Sequence, residues 1–238
     1  MRVAIIKRLI EINENIFFYP RLKRFYSGLL NKEGVIIDVG SNTGQSIDFF
    51  LSISNKFRIF GYEPNQALAD MLRHKYHACK AIEISNKGLS DREGVKLLKV
   101  NILDLTSSFE DLNYQSDYQK KKSQILGVKN VEDLIIEEQR VTVSTLDHEL
   151  TLMNFDRIEL LKMDVEGHEL NCLIGLSRET AQKIKYIQLE QHVNDMYLKK
   201  RACNEIHDTL DHLGFQEVKR IKHGFGGFYE IIFKNNDL

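Results

Sequence analysis

Only two prolines occur in the 238 residues, and no stretch rich in glycine and serine interrupts the chain. Nothing therefore reads as a linker, and the length suits one large α/β domain spanning residues 1–238. Cysteine is scarce too: Cys79, Cys172 and Cys203 are far apart and odd in number. They form neither a zinc pattern nor a disulfide framework, which makes a reducing cytoplasm the expected location. An excess of one charge is also missing, since the formal net value is −1. Nucleic acid is not an expected partner on that ground. No segment reaches the roughly 18 apolar residues of a membrane span. Arg2, Lys7, Arg8 and Glu11 break up any signal-peptide core.

Charge is uneven locally. Residues 1–32 hold seven Lys and Arg against two Glu. Interleaved with Ile5, Ile6, Leu9, Ile10, Phe17 and Phe18, they read as a helical cap packed on the domain, its basic side in water. A basic amphipathic helix lying on an anionic membrane is the competing reading. The aromatic group Phe17, Phe18, Tyr19, Phe25 and Tyr26 reads as the packing face of the cap.

Beyond the cap, apolar runs alternate with longer amphipathic stretches, the βαβ pattern of a parallel sheet. Strands are predicted at Val35–Val39, Arg58–Tyr62, Ala81–Ser85, Val95–Val100, Arg140–Leu146, Ile158–Met163 and Tyr186–Leu189, with Ile158–Met163 taken as fully apolar. Helices are predicted near Ser46–Leu51, from an Asn65 cap through Leu72 and His74, over Glu169–Lys183, and over Arg201–Leu213 up to Gly214. Phe215–Arg220 and Phe228–Phe233 straddle Gly224, Gly226 and Gly227 and read as a C-terminal antiparallel hairpin. The region 106–139 is the least regular. Its polar part, Asn113 to Lys122, reads as an exposed loop or short helix, with Lys120–Lys122 on a solvated face and contact with an acidic acceptor such as a phosphorylated glycan the alternative. So long an irregular stretch is often functional, and a lid is the expected role.

The run Val35-Ile36-Ile37-Asp38-Val39-Gly40-Ser41-Asn42-Thr43-Gly44 is the most informative. It reads as a buried strand breaking into a glycine turn and then a helix, the edge where open α/β sheets bind cofactors. The glycines, with Asn42 between them, do not make the G-x-G-x-x-G of nicotinamide enzymes. Asp38 is expected to face a ligand ammonium, Gly40 to keep a side chain out of its way, and Gly44 to let the helix start close by. The N–H groups of that helix start, which carries Ser46, are a seat for the ligand's carboxylate. Glu63 follows Gly40 by 23 residues, where an acceptor for paired ribose hydroxyls is expected. Asn86 to Asp91, including Leu89, should border an adenine. S-adenosyl-L-methionine fits this set.

Several motifs in order extend the pattern: Asp38–Gly44, Tyr62-Glu-Pro-Asn65, Gly88-Leu-Ser-Asp91, Ser144-Thr-Leu-Asp147 and Leu161-Lys-Met-Asp-Val-Glu-Gly-His-Glu169. Together they resemble the motifs of FkbM-type methyltransferases over roughly two thirds of the chain, Val35 to His192. The resemblance implies a class I methyltransferase fold, Rossmann-like, and S-adenosylmethionine-dependent methylation, commonly of hydroxyls on sugars and natural products. It also implies cofactor contacts at Asp38, Gly40, Asn42, Gly44 and Glu63. Ser41 stands where alanine is usual and Gly88 where alanine is frequent, and 110–139 matches nothing in the family's pattern.

Transfer of a methyl group to an alcohol needs alignment and a base or metal ion. Asp164, Glu166 and His168 follow a strand at the expected crevice, Asp164 and Glu166 on one side if extended geometry persists to Gly167. Asp164 is the expected base or hydroxyl orienter and His168 its rival, with helix capping the other role for His168. Glu190 and His192, at the end of the next strand, read as a polar rim for a small-molecule or glycan substrate. With Asp164 they also offer mixed oxygen and nitrogen donors to a divalent metal, the less favoured alternative. N-methylation of an amide or amine, nicotinamide-dependent oxidoreduction, and a non-catalytic cofactor-fold protein are the other readings.

Overall fold

Chain order, not composition, explains how the architecture forms. The computed structural model describes residues 2–103, 106–192, 195–198, 203–222 and 227–238. The cap comes first, as α1 (Arg2–Asn13), a wide helical turn over Glu14–Phe18, and α2 (Tyr19–Ser27). Pro20 sits in the first turn of α2, where no helical hydrogen bond needs its missing N–H. Leu22 and Tyr26 of α2 are buried, and the Tyr26 ring packs against Phe49 and Phe50. The outer face of α1 is not simply basic, because Ile5, Leu9 and Ile12 are exposed beside Arg8. Among the described residues no helix is long and apolar enough to cross a membrane.

The βαβ region follows as β1 (Glu33–Val39), α3 (Gln45–Ile53), β2 (Lys56–Tyr62), α4 (Gln66–Lys75) and β3 (Ile82–Ser85). Asn65 caps α4 as predicted, its side chain accepting from the N–H groups of Ala67 and Leu68. The next strands are β4 (Gly88–Leu89), β5 (Gly94–Asn101) and β6 (Ile135–Ser144). They pair with one another in the order β4-β6-β5, apart from the main sheet. Between β5 and β6 lies α5 (Asp117–Leu126), capped by Ser116. Thus 106–139 is not one lid, because 135–139 already belong to β6.

Then come α6 (Leu146–Met153), β7 (Ile158–Met163), α7 (Glu169–Ile174), α8 (Arg178–Ala181), β8 (Ile184–His192), α9 (Cys203–His212), β9 (Phe215–Lys222) and β10 (Phe228–Asn235). The helix predicted over Glu169–Lys183 is broken into α7 and α8. Gly175 lies against the Ser90 carbonyl, where an added Cβ would come within 2.2 Å, and Ser177 then caps the new helix. The strand predicted to reach Leu146 stops at Ser144, because Thr145 caps α6. Arg201, Gly224 and Gly226 lie outside the described residues.

The main sheet has the order β3-β2-β1-β7-β8-β10-β9. The first five strands are parallel, and β10 runs antiparallel to both neighbours. This is the expected mostly parallel α/β architecture with a terminal hairpin. Strand order reverses between β1 and β7, so their carboxyl ends open the crevice where such sheets bind ligands.

The strand β7 is buried throughout but not wholly apolar, since it carries Glu159 and Lys162. Glu159 lies 2.6 Å from Lys185 Nζ and accepts from the Asn31 backbone N–H at 2.9 Å. It thereby ties the segment after the cap to the sheet. Truncating Glu159 alone leaves a buried ammonium without its partner, whereas removing both charges does not. Glu159→Ala is expected to lower the free energy of unfolding in urea by about 3 kcal/mol. Adding Lys185→Met should recover most of it. Equal loss in the single and double variants would show that the pair does not act as described.

Candidate active site

A hollow of about 600 Å³ opens at the reversal point between β1 and β7, within the range of small-molecule sites. Three groups of elements enclose it. Residues 39–42 and 45–46, Tyr62 to Pro64, and Lys87 to Leu89 form one wall. Lys162, Asp164 to Glu166, Gln188, Glu190, Phe228 and Glu230 form the other. Residues of the cap, from Ile6 to Leu22, and of the 106–126 segment cover it.

The first turn is built differently from the expectation. Asp38 is fully buried behind it rather than facing the hollow. Its Oδ2 accepts from Ser46 Oγ at 2.7 Å, and its Oδ1 lies 3.3 Å from Lys162 Nζ. Gly40 has φ +79°, and a Cβ there would lie 1.9 Å from the Asp164 carbonyl oxygen. The neighbouring turn thus requires a glycine at this position, which also lines the hollow. Gly44, at φ +83°, precedes α3 and lies against the Tyr76 hydroxyl, away from the lining. Asn42 adopts the left-handed region at φ 47° and lines the hollow together with Ser46.

At the tip of β2, Glu63 is buried yet borders the hollow. Its two oxygens each accept a backbone N–H at 2.8 Å, one from Asn42 and one from Asn65. Burial pushes its pKa up to about 7, against the lowering effect of those two N–H groups. Leu89 lines the hollow as expected. Asn86 does not, because its side-chain amide donates to the carbonyls of Glu63 and Pro64 and so holds the β2 tip in place.

The opposite wall is acidic. Asp164 faces the hollow with 37% of its side chain exposed, and its Oδ2 lies 3.5 Å from Lys162 Nζ. Enclosure by protein and the nearby Glu190 and Glu230 raise its pKa, while Lys162 opposes them. Extended geometry does not persist after β7, since Glu166 has φ 54° and Gly167 φ 92°. That left-handed pair swings the Glu166 carboxylate deeper into the same wall, where Tyr197 donates to it at 2.8 Å. Burial raises the Glu166 pKa as well. Glu190 Oε2 lies 2.9 Å from His192 Nε2. Burial would depress the imidazole, but Glu190 and Glu166 outweigh it and raise its pKa to about 10. Asp164, Glu166, Glu190 and His192 are therefore brought together.

His168 is not. It is 1% exposed and absent from the lining. Its Nδ1 lies 2.6 Å from Glu110 Oε1 and its Nε2 2.9 Å from Ser90 Oγ. Phe109 packs against the ring. With both nitrogens held inside the protein, His168 joins the 106–110 segment to the start of α7 and presents no base to the hollow.

Four lining residues escaped sequence reasoning. Lys162 was concealed by the assumption that its strand is fully apolar, although a lysine inside such a run was itself the signal. Glu230 enters through the antiparallel pairing of β10 with β8, where it sits opposite Glu190. Gln188 donates to Glu230 at 2.9 Å. Lys122 is buried, unlike its exposed neighbours Lys120 and Lys121, and donates to Thr106 Oγ1 at 2.7 Å. Burial lowers its pKa and Glu166 opposes the shift.

Comparisons with known proteins bear on this arrangement. A family model described as the methyltransferase FkbM domain matches residues 38–217. The 2-O-methyltransferase NoeI of Sinorhizobium fredii is 26% identical over 227 residues, covering 92% of this chain and 86% of its own. The AMB antimetabolite synthetase AmbE of Pseudomonas aeruginosa is 23% identical over 230 residues, and the chain spans 11% of its length. Among solved structures, a putative rRNA-methylase from Clostridium thermocellum superposes with TM-score 0.50 at 8% identity, covering 90% of this chain and 93% of that one. That last likeness concerns the fold alone.

Because His168 is held by Glu110 and Ser90, its loss should weaken the fold before it affects chemistry. His168→Asn is expected to lower the urea-unfolding free energy by about 2 kcal/mol and to leave binding of S-adenosylhomocysteine within about twofold. Unchanged stability together with abolished methyl transfer would instead return His168 to the mechanism.

Proposed function

The chain belongs to the FkbM family of S-adenosylmethionine-dependent methyltransferases, and from that premise we propose that its hollow binds the cofactor on the β1–β2 side. On the β7–β8–β10 side it would methylate a hydroxyl of a sugar, glycan or natural product. Membership removes the oxidoreductase and non-catalytic alternatives. The observation that carries the proposal is that Glu63 and Asp164 border one cavity from opposite sides of the strand-order reversal.

The residues of the first wall fit a sulfonium nucleoside. Glu63, already fixed by two N–H groups, retains a free lone-pair direction on each oxygen for the ribose hydroxyls. Tyr62, Pro64 and Leu89 provide apolar surface for adenine, and the 40–42 turn with Ser46 supplies polar groups for the amino-acid end. When bound, S-adenosylmethionine supplies an electrophilic methyl group.

The chain's own part in the chemistry then falls to the acidic wall. Asp164 accepts the proton of the acceptor hydroxyl, and its raised pKa strengthens it as a base. Lys162 holds it from behind, Nζ lying 3.5 Å from Oδ2. Glu166, Glu190 and Glu230, with Tyr118 and Phe228, shape the room for the acceptor, and Lys122 reaches it from the covering segment. The similarity to NoeI, a 2-O-methyltransferase, supports a hydroxyl acceptor. A second reading, N-methylation of an amine, draws support from the same excess of carboxylates, which suits a cationic acceptor.

Asp164→Asn separates the two readings. For a hydroxyl acceptor, turnover is expected to fall by about 10²–10³-fold, with affinity for S-adenosylhomocysteine retained in calorimetry. A loss below about tenfold would favour the amine. On the cofactor side, Glu63 must be ionised to accept from both N–H groups and from the ribose. Its pKa is raised to about 7, so affinity for S-adenosylhomocysteine should strengthen as pH rises through that value and level off above it. Glu63→Gln should bind about tenfold more weakly or worse and lose the pH dependence. A flat profile in the unaltered protein would remove Glu63 from the cofactor site.

A further inference from the structure

We propose that Glu166 and Glu190, which line the hollow, form a divalent-cation site with His192 behind them, and that the ion would hold and polarise the acceptor hydroxyl beside Asp164. The proposal rests on the assignment of that wall to the acceptor. It adds a ligand that the assignment itself does not require.

One atom from each of the three side chains lies within 4.8 Å of the others. The donors come from two separate elements, the turn after β7 and the last residues of β8, so the cluster is made by tertiary packing rather than by a run of acids. His192 carries the argument furthest. Its side chain is only 7% exposed, and neither ring nitrogen meets a hydrogen-bond acceptor along its own axis. Nε2 nevertheless lies 2.9 Å from Glu190 Oε2 and 3.9 Å from Glu166 Oε2. A short contact off the N–H axis is poor geometry for a hydrogen bond. It is the geometry of two ligands on adjacent corners of one ion, about 3 Å apart when each bond is about 2.1 Å.

A divalent ion that displaces the imidazole proton would meet the ring nitrogen and both carboxylates at once. Two carboxylates meet one imidazole here, with Asp164 and Glu230 on the same wall. Of the nearby ammonium groups, Lys162 is committed to Asp38 and Asp164, and Lys122 donates to Thr106. The first carboxylate is also oriented from outside. Tyr197 donates to Glu166 Oε2 at 2.8 Å, and Ser108 Oγ holds the Glu166 carbonyl at 2.7 Å. Such outer partners aim a ligand at a metal. One imidazole and two carboxylates suit a first-row divalent ion that accepts nitrogen and oxygen together, such as manganese. Coordinated to that ion, a hydroxyl loses its proton more readily, and Asp164 on the same wall can receive it.

The test is a manganese titration of the chelator-stripped full chain, with free Mn²⁺ read by electron paramagnetic resonance and S-adenosylhomocysteine binding measured in parallel. One Mn²⁺ per chain is expected. His192→Gln and Glu190→Gln should each weaken it by at least about tenfold, the loss that even outer-partner variants produce. The milder Tyr197→Phe, which leaves all three ligands in place, should also weaken it while S-adenosylhomocysteine still binds. Absence of Mn²⁺ binding in a protein that binds S-adenosylhomocysteine would overturn the site. Mn²⁺ binding unaffected by the variants would also overturn it, as an ion held elsewhere. Mn²⁺ binding that the variants weaken, in a protein that does not bind S-adenosylhomocysteine, would support the ion site and sink the cofactor assignment instead.

Discussion

A single ammonium group, that of Lys162, holds the two halves of the hollow together. It lies between the carboxylates of Asp38 and Asp164 and reaches the Gly40 carbonyl at 3.4 Å. Burial by itself would drive a lysine toward the neutral form, but Asp38, Asp164 and Glu230 outweigh burial and raise its pKa. The charge therefore stays, and with it the requirement that both carboxylates remain close. One of them belongs to the end of β1 and the other to the turn after β7. A buried ion pair of this kind adds little net stability over an apolar core, but breaking one side of it is severe. Its contribution here is geometric.

The backbone repeats the constraint without charge. Asp164 N–H donates to the Val39 carbonyl at 3.0 Å, and Gly40 packs directly on the Asp164 carbonyl. The two turns touch where strand order reverses, so neither can shift without the other. A glycine at 40 is thus a consequence of turn against turn. This explains why the glycine spacing departs from that of nicotinamide-binding turns, where the glycine makes room for a pyrophosphate. The acid of the first strand is likewise structural, and the carboxylate that borders the hollow on this side is Glu63.

The parts legible from sequence are those dictated by local periodicity. Five parallel strands, the Asn65 cap, the terminal hairpin and the strand-tip positions of Glu63 and Asp164 all follow from runs of apolar residues and what ends them. What was not legible depends on contacts between distant residues. The pairing of Val95–Val100 with Glu137–Thr142 in a separate sheet has no local signature. Nor does the break at Gly175, which Ser90 imposes from 85 residues away. His168 illustrates the limit well, since its position after an apolar strand suggested a base. Glu110 and Ser90, which bury it, come from segments whose placement no spacing reveals. Glu230 shows the same limit in reverse, because only the register of β10 against β8 brings it beside Glu190.

This division also separates the two walls of the hollow. The β1–β2 side, proposed for the cofactor, is assembled from consecutive residues of two βα turns, and its polar groups are largely backbone groups whose positions the turns dictate. The β7–β8–β10 side, proposed for the acceptor, draws Asp164 and Glu166 from one turn, Glu190 from the next strand, Glu230 from the antiparallel hairpin and Lys122 from α5. Glu190, Glu230 and Lys122 each reach the hollow through a different tertiary contact, so a change of register in β10 or a shift of α5 reshapes that side without moving the β1–β2 turn. The acidity of that second wall, held in place by Lys162 from below and crossed by Lys122 from above, is the property an acceptor must satisfy.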